Sequence, residues 1–150
     1  MKHLFIPLEL NIKLRNLGFD ELCFGYMISN FNNMISNNVS MKMKITNSKL
    51  KKEAQVYKLI FKGVLPDRVV ATTYDQAFDF LEDKFGMIGL IFSDGFNWTF
   101  DLRWVEDDFT KYPSINFPKS ELERIWSDTY KKAKLKCLIK LIEIADEKTS

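Results

Sequence analysis

The chain has 150 residues, 46% hydrophobic and 28% charged, with a net charge of +2 and only two cysteines. A chain of this size buries about 68–70% of its unfolded surface, enough for a folded core without disulfide or metal support. No stretch reaches the roughly 18 apolar residues of a membrane span, and the apolar run after Lys2 is too short for a secretory leader, so a soluble cytoplasmic protein with reduced thiols is expected.

In chain order, residues 8–17 alternate like a strand at Leu8, Leu10, Ile12 and Leu14, yet Pro7 and Gly18 punctuate them like a helix, and the spacing is read as a helix. Residues 22–28 read as a strand followed by an asparagine-rich loop. A second strand is expected over 39–45, where Val39, Met41, Met43 and Ile45 alternate with polar residues. A third is expected over 55–62, before Pro66-Asp67 breaks the pattern.

A helix is predicted over 74–85 from the stripe Tyr74, Ala77, Phe78, Leu81 and Phe85, with Thr73 and Gln76 as a capping box and Gly86 as the stop. A hairpin follows: strand 87–93, a tight turn at Asp94-Gly95, and strand 96–104. In that register Ser93 faces Phe96, Ile91 faces Trp98 and Gly89 faces Phe100, with Phe96, Trp98, Phe100, Leu102 and Trp104 on a core face. After a loop from Glu106 to Pro118, Ser120 with Glu123 suggests a second capping box and a long helix. Its apolar stripe rotates enough to suggest a break at Ser127-Asp128. The expected fold is α+β: one domain over 1–150, a mainly antiparallel sheet of five or six strands covered on one face by the central and C-terminal helices, and a short N-terminal helix.

Three segments, GFDELCFGY at 18–26, TYDQAFDFLEDKFG at 73–86 and CLIKLIEI at 137–144, resemble small uncharacterised proteins of bacterial prophages and conjugative elements. Where those proteins often carry tryptophan and arginine in the central helix, this chain has Phe80 and Glu82, and its stretch over 106–128 is longer. The resemblance implies a mobile-element context and carries no activity.

His3 is the only histidine and lies near a terminus, and neither cysteine sits in a C-x-x-C pair, so no triad or nucleophile is evident. Cys23 and Cys137 read as buried thiols. Asp75, Asp79 and Glu82 share a helix face where carboxylates can meet a cation, the basis of a remote metal-dependent nuclease reading, but a solvated face explains them as well. With no glycine-rich loop before a helix, no cofactor is expected and no catalytic residue is assigned.

Charge is segregated: residues 40–64 hold seven lysines against Glu53, and residues 75–108 hold nine acids against Lys84 and Arg103. Lys42, Lys44, Lys49, Lys51 and Lys52 form a candidate phosphate or nucleic-acid contact, which Lys131, Lys132, Lys134 and Lys136 would enlarge if adjacent. Asp101, Glu106, Asp107 and Asp108 form a candidate acidic surface toward a basic partner. The leading expectation is a non-enzymatic interaction protein that binds a host or element-encoded protein as an inhibitor or modulator. The alternative is a nucleic-acid-binding accessory factor using residues 42–62, and the oligomeric state stays open.

Overall fold

The computed structural model describes residues 4–21, 23, 25–28, 40–42, 55, 58–64, 68–105 and 117–149. The chain divides into two compact units, Met1–Tyr74 and Asp75–Ser150. Among the described residues no helix is long and apolar enough to cross a membrane.

In the first unit, helix α1 (Leu8–Asn16) starts after Pro7, whose φ of −56° suits a helix entry. It ends on Gly18 at φ +95°. There the Phe19 N–H reaches the Leu14 carbonyl at 3.0 Å and the Gly18 N–H reaches Arg15 at 2.9 Å, the paired bonds of a Schellman stop. Leu10, Leu14 and Leu17 are buried at helical spacing while Ile12 stays exposed, so the three-and-four period prevails over the alternation.

Strand β1 (Tyr26–Ile28) lies between β2 (Ser40–Lys42) and β3 (Arg68–Val70) in an antiparallel sheet, Met27 facing Met41 on one side and Val69 on the other. Phe5 bridges Thr73 beyond β3, and Phe5, Met27 and Ala71 form a small core with Leu8 packed against it. Asn11 fastens this corner. Its Nδ2 donates to the Ile6 carbonyl at 3.0 Å and its Oδ1 accepts the Thr72 N–H at 3.0 Å.

The strand expected over 55–62 is corrected, because residues 58–61 form a helical turn. Lys62 N–H bonds the Lys58 carbonyl at 3.0 Å, Val64 N–H bonds Leu59 at 2.9 Å, and Gly63 sits at φ +73°. A short apolar run does not reveal its period, and a left-handed glycine two residues past it favours the helical ending. Ile60 is buried, and Arg15 donates to its carbonyl.

Helix α2 (Tyr74–Phe85) matches its expected bounds, and Gly86 at φ +66° ends it. Its buried residues are Ala77, Phe80 and Leu81, so the core face is turned toward Phe80 and away from Tyr74 and Phe85. Strands β4 (Met87–Ser93) and β5 (Trp98–Trp104) form the hairpin, but its register is corrected by two residues. Ser93 faces Trp98, Ile91 faces Phe100 and Gly89 faces Leu102. Asp94 causes the shift: its Oδ1 accepts the N–H groups of Phe96 at 2.9 Å and Asn97 at 2.7 Å, closing a four-residue loop in place of a two-residue turn. An even shift preserves the faces, so Phe100 and Leu102 remain core while Phe96, now in the loop, is 90% exposed.

The long helix expected from Ser120 is also corrected. Ser120 makes no side-chain cap, and only Glu121–Glu123 forms a 3₁₀ turn. Helix α3 (Tyr130–Thr149) starts past the expected break, and Thr129 Oγ1 accepts the Lys132 N–H at 3.2 Å as its N-cap. Ala133, Cys137, Leu141 and Ala145, with Leu138 and Ile142, form one fully buried stripe. This stripe packs on the hairpin's inner face, where an added Cβ on Gly89 would lie 2.4 Å from Cys137 Sγ and 3.4 Å from Leu141 Cδ1.

The single sheet of five or six strands is thereby overturned. The fold is α+β, but among the described residues the strands form separate sheets of three and two. Within the second unit, β5 cannot recruit a further full strand because Phe117 and Ser127 already bridge its outer edge.

Candidate functional site

Side chains alternate across a strand, so the inner face of the hairpin takes Gly89, Ile91, Phe100 and Leu102, and its outer face takes Ile88, Leu90 and Phe92 with Thr99, Asp101 and Arg103. Leu90 and Phe92 are 41% and 40% exposed. β4 is thus apolar on both faces, and only the inner one is covered by α3.

An arch over residues 118–126 borders this outer face. It is anchored at one end by Leu102 N–H donating to Phe117 at 2.8 Å, and at the other by paired Trp98–Ser127 bonds of 2.7 and 2.8 Å. Thr99 Oγ1 adds a bond of 2.8 Å to the Ile125 carbonyl. Arg124 then ties the arch to the strands. Its Nη1 donates to Asp101 Oδ1 at 2.9 Å, its Nε to Glu121 Oε2 at 3.0 Å, and its guanidinium lies 5.4 Å from the centre of the Phe92 ring. The bond to Glu121, followed by that to Asp101, raises the guanidinium pKa, keeping it charged. The 3₁₀ turn leaves Leu122 98% exposed beside this network, and Trp126 and Tyr130 are exposed further along. A side chain as apolar as Leu122, held by its neighbours so fully in solvent, is suited to entering a pocket on another molecule.

Of the expected acidic surface, Asp101 is in the described residues, where Arg124 and, at 3.6 Å, Arg103 balance its charge. Glu106, Asp107 and Asp108 lie outside them. Of the expected basic surface, Lys42 is described as backbone in β2, facing Tyr26, while Lys44, Lys49, Lys51 and Lys52 lie outside. His3 lies outside as well.

On α3, Lys132 pairs with Asp128 at 2.8 Å, Lys134 pairs with Asp75 at 3.3 Å and Lys136 donates to the Trp126 carbonyl at 3.3 Å. Asp75 therefore works as an ion-pair partner of α3. Among the described residues no group of three or more histidines, cysteines or acids could hold a metal ion. Arg124 and Leu122 were missed by the sequence reading, which placed both on a helix. The signal that pointed to them was the uninterrupted run Ile88-Gly89-Leu90-Ile91-Phe92, one apolar face more than a single covering helix can bury.

Cys137 is fully buried, and burial pushes its thiol from 9.0 up to about 12. The folded state holds this proton where the unfolded state releases it, so stability is full below the unfolded pKa and falls as pH rises from about 9 toward 12. The expected loss approaches about 1.4 kcal/mol per pH unit, and urea titrations should show Cys137→Ala losing that part of the slope. An unchanged slope in the variant would assign it to other groups. No protein-family model matches the chain, and neither curated proteins nor solved structures yield a significant match.

Proposed function

We propose that this chain is a non-enzymatic interaction protein that binds a protein partner through the outer face of the β4–β5 hairpin and its arch. The observation that carries the reading is the charged, pre-positioned Arg124 over the Phe92 ring, with exposed Leu90 on the same strand face and exposed Leu122 in the adjoining turn of the arch. Apolar anchors beside an arginine are the combination that dominates binding energy at protein interfaces. Ion pairs and a backbone-anchored arch hold Arg124 before binding, so less ordering cost is left for the encounter. The partner we propose is encoded by a phage or mobile element or by its host, with the chain as its inhibitor or modulator. The resemblance of residues 18–26, 73–86 and 137–144 to prophage and conjugative-element proteins supports that context.

The test is affinity capture from a bacterial lysate with the wild-type chain and with Phe92→Glu and Leu122→Glu variants, each verified as folded by circular dichroism. One protein retained by the wild type and reduced at least about tenfold in both variants is expected, since a buried carboxylate opposes an apolar anchor. Equal retention by all three, or no retained protein, would overturn the assignment.

A further inference from the structure

Among the described residues, the backbone of the hairpin has one closed edge and one open edge. On β5, Leu102 and Trp98 direct their N–H and C=O groups outward to Phe117 and Ser127. The alternate residues Thr99, Asp101 and Arg103 therefore direct theirs inward, toward Phe92, Leu90 and Ile88. Two bonds at the hairpin ends agree with this phase: Val105 N–H to the Gly86 carbonyl at 2.8 Å, and Asp94 N–H to the Asn97 carbonyl at 3.2 Å. It follows that Gly89, Ile91 and Ser93 present their backbone polar groups on the far side of β4, where no described backbone group pairs with them. Exposed edges in soluble proteins are ordinarily guarded by lysine, proline or a bulge. β4 reads Met87-Ile88-Gly89-Leu90-Ile91-Phe92-Ser93 and has none of these.

We infer that this edge pairs with the same edge of a second copy of the chain, antiparallel about Ile91, giving a four-stranded sheet across a two-fold axis. The register follows from which residues point outward. With Ile91 opposite its own copy, Gly89 meets Ser93 of the other chain, so every outward N–H and C=O over 89–93 finds a partner. Leu90 then stands opposite Phe92 in a non-hydrogen-bonded pair, the closer kind, in which cross-strand side chains touch best. Both are partly exposed in the single chain, and both gain cover on the same side of the sheet. No charge lies in the paired stretch, so like charges do not meet. The register also stops short of Met87, which is already fully buried. Because the two-fold axis is normal to the sheet, the outer faces of both copies lie on one side, and the dimer presents two Arg124 arches to the same solvent face.

This pairing shares Leu90 and Phe92 with the proposed partner surface but does not require the partner, and it is tested without one. Sedimentation equilibrium of the full chain from about 1 µM to about 0.5 mM should pass from the 17.6 kDa monomer to twice that mass, since a short edge contact implies a dissociation constant in the micromolar range or weaker. Two variants locate the contact. Leu90→Lys guards the edge by charge, and Ile91→Pro removes an N–H that makes no backbone bond among the described residues. Either variant that keeps its circular dichroism spectrum should need at least about tenfold higher concentration to dimerise, and Leu90→Lys decides if the proline variant unfolds. Phe96→Lys, in the hairpin loop outside the register, should dimerise as the wild type does. A wild-type chain that stays monomeric overturns the inference and leaves the edge to an extended segment of a different protein. A dimer that both folded variants form unchanged also overturns it.

Discussion

Replacing Gly89 with alanine is expected to destabilise the second unit by about 1–3 kcal/mol, the usual cost of forcing a methyl group into a packed interior. The new Cβ would stand 2.4 Å from Cys137 Sγ and 3.3 Å from Phe78 Cε1, the first far inside van der Waals contact. Cys137 is fully buried in the middle of the α3 stripe, and Leu141 Cδ1, from the next turn, would stand 3.4 Å from the same Cβ. At 2.4 Å either the sulfur or the strand must shift, and either shift disturbs a buried, closely packed stripe. Urea unfolding read by tryptophan fluorescence isolates this effect, because Trp98, Trp104 and Trp126 are the only tryptophans and all lie in the second unit. Cys137→Ala removes the obstructing sulfur, so the double variant should be more stable than the sum of the two single losses by about 1 kcal/mol or more. Simple additivity would mean that Gly89 and Cys137 do not meet as described.

The second large effect is expected at Asn11 in the first unit. Asn11 closes a ring of bonds: Ile6 N–H to the Thr72 carbonyl at 3.0 Å, Asn11 Nδ2 to the Ile6 carbonyl at 3.0 Å, and Thr72 N–H to Asn11 Oδ1 at 3.0 Å. Thr72 is fully buried and Ile6 likewise, so water cannot replace the amide. Asn11→Leu, similar in volume, leaves one donor and one acceptor without partners and should cost about 2–4 kcal/mol, the sum of two buried, unsatisfied backbone groups. Hydrogen exchange at the Thr72 amide is the direct readout, and its protection should fall by at least about tenfold. If Asn11→Leu is as stable as the wild type, packing alone holds this corner, and the bond ring contributes nothing.

How far these features were legible depended on whether a residue's role was local. α1, α2, Gly86 and the hairpin strands follow from period and punctuation: Leu10, Leu14 and Leu17 at helical spacing, Gly18 at a left-handed stop, and alternation from Trp98 to Trp104. The hairpin register failed because Asp94-Gly95 suits a two-residue turn, whereas the Asp94 carboxylate finds two N–H groups in a longer loop. That carboxylate is held below its usual pKa by the bonds from Asn97 and then Phe96, so the loop is a stable choice at neutral pH. Residues 55–62 failed for a different reason. Their apolar residues fall in two short runs, Val56-Tyr57 and Leu59-Ile60-Phe61, that show no clear period, and Gly63 and the reach of Arg15 to Ile60 accompany the turn.

The candidate face was less legible than the fold. Asp101 was singled out as an acid for a basic partner, but besides nearby Arg103 it is paired more closely with Arg124 of the same chain, 23 residues later in sequence. The pairing with Arg124 is a property of the fold, and nothing local to Asp101 announces it. Asn11 was invisible for the same reason, since its partner Thr72 lies 61 residues away.

The arch also limits assembly. Phe117 and Ser127 occupy the outer edge of β5, and a sheet grows only by adding strands to free edges. The hairpin therefore has valence one. A strand that joins β4 ends the sheet on that side, and two hairpins joined edge to edge leave no further free strand edge in that sheet among the described residues. An uncharged, apolar edge of this kind would ordinarily invite runaway fibre growth, and here nine residues of arch act as the chain terminator.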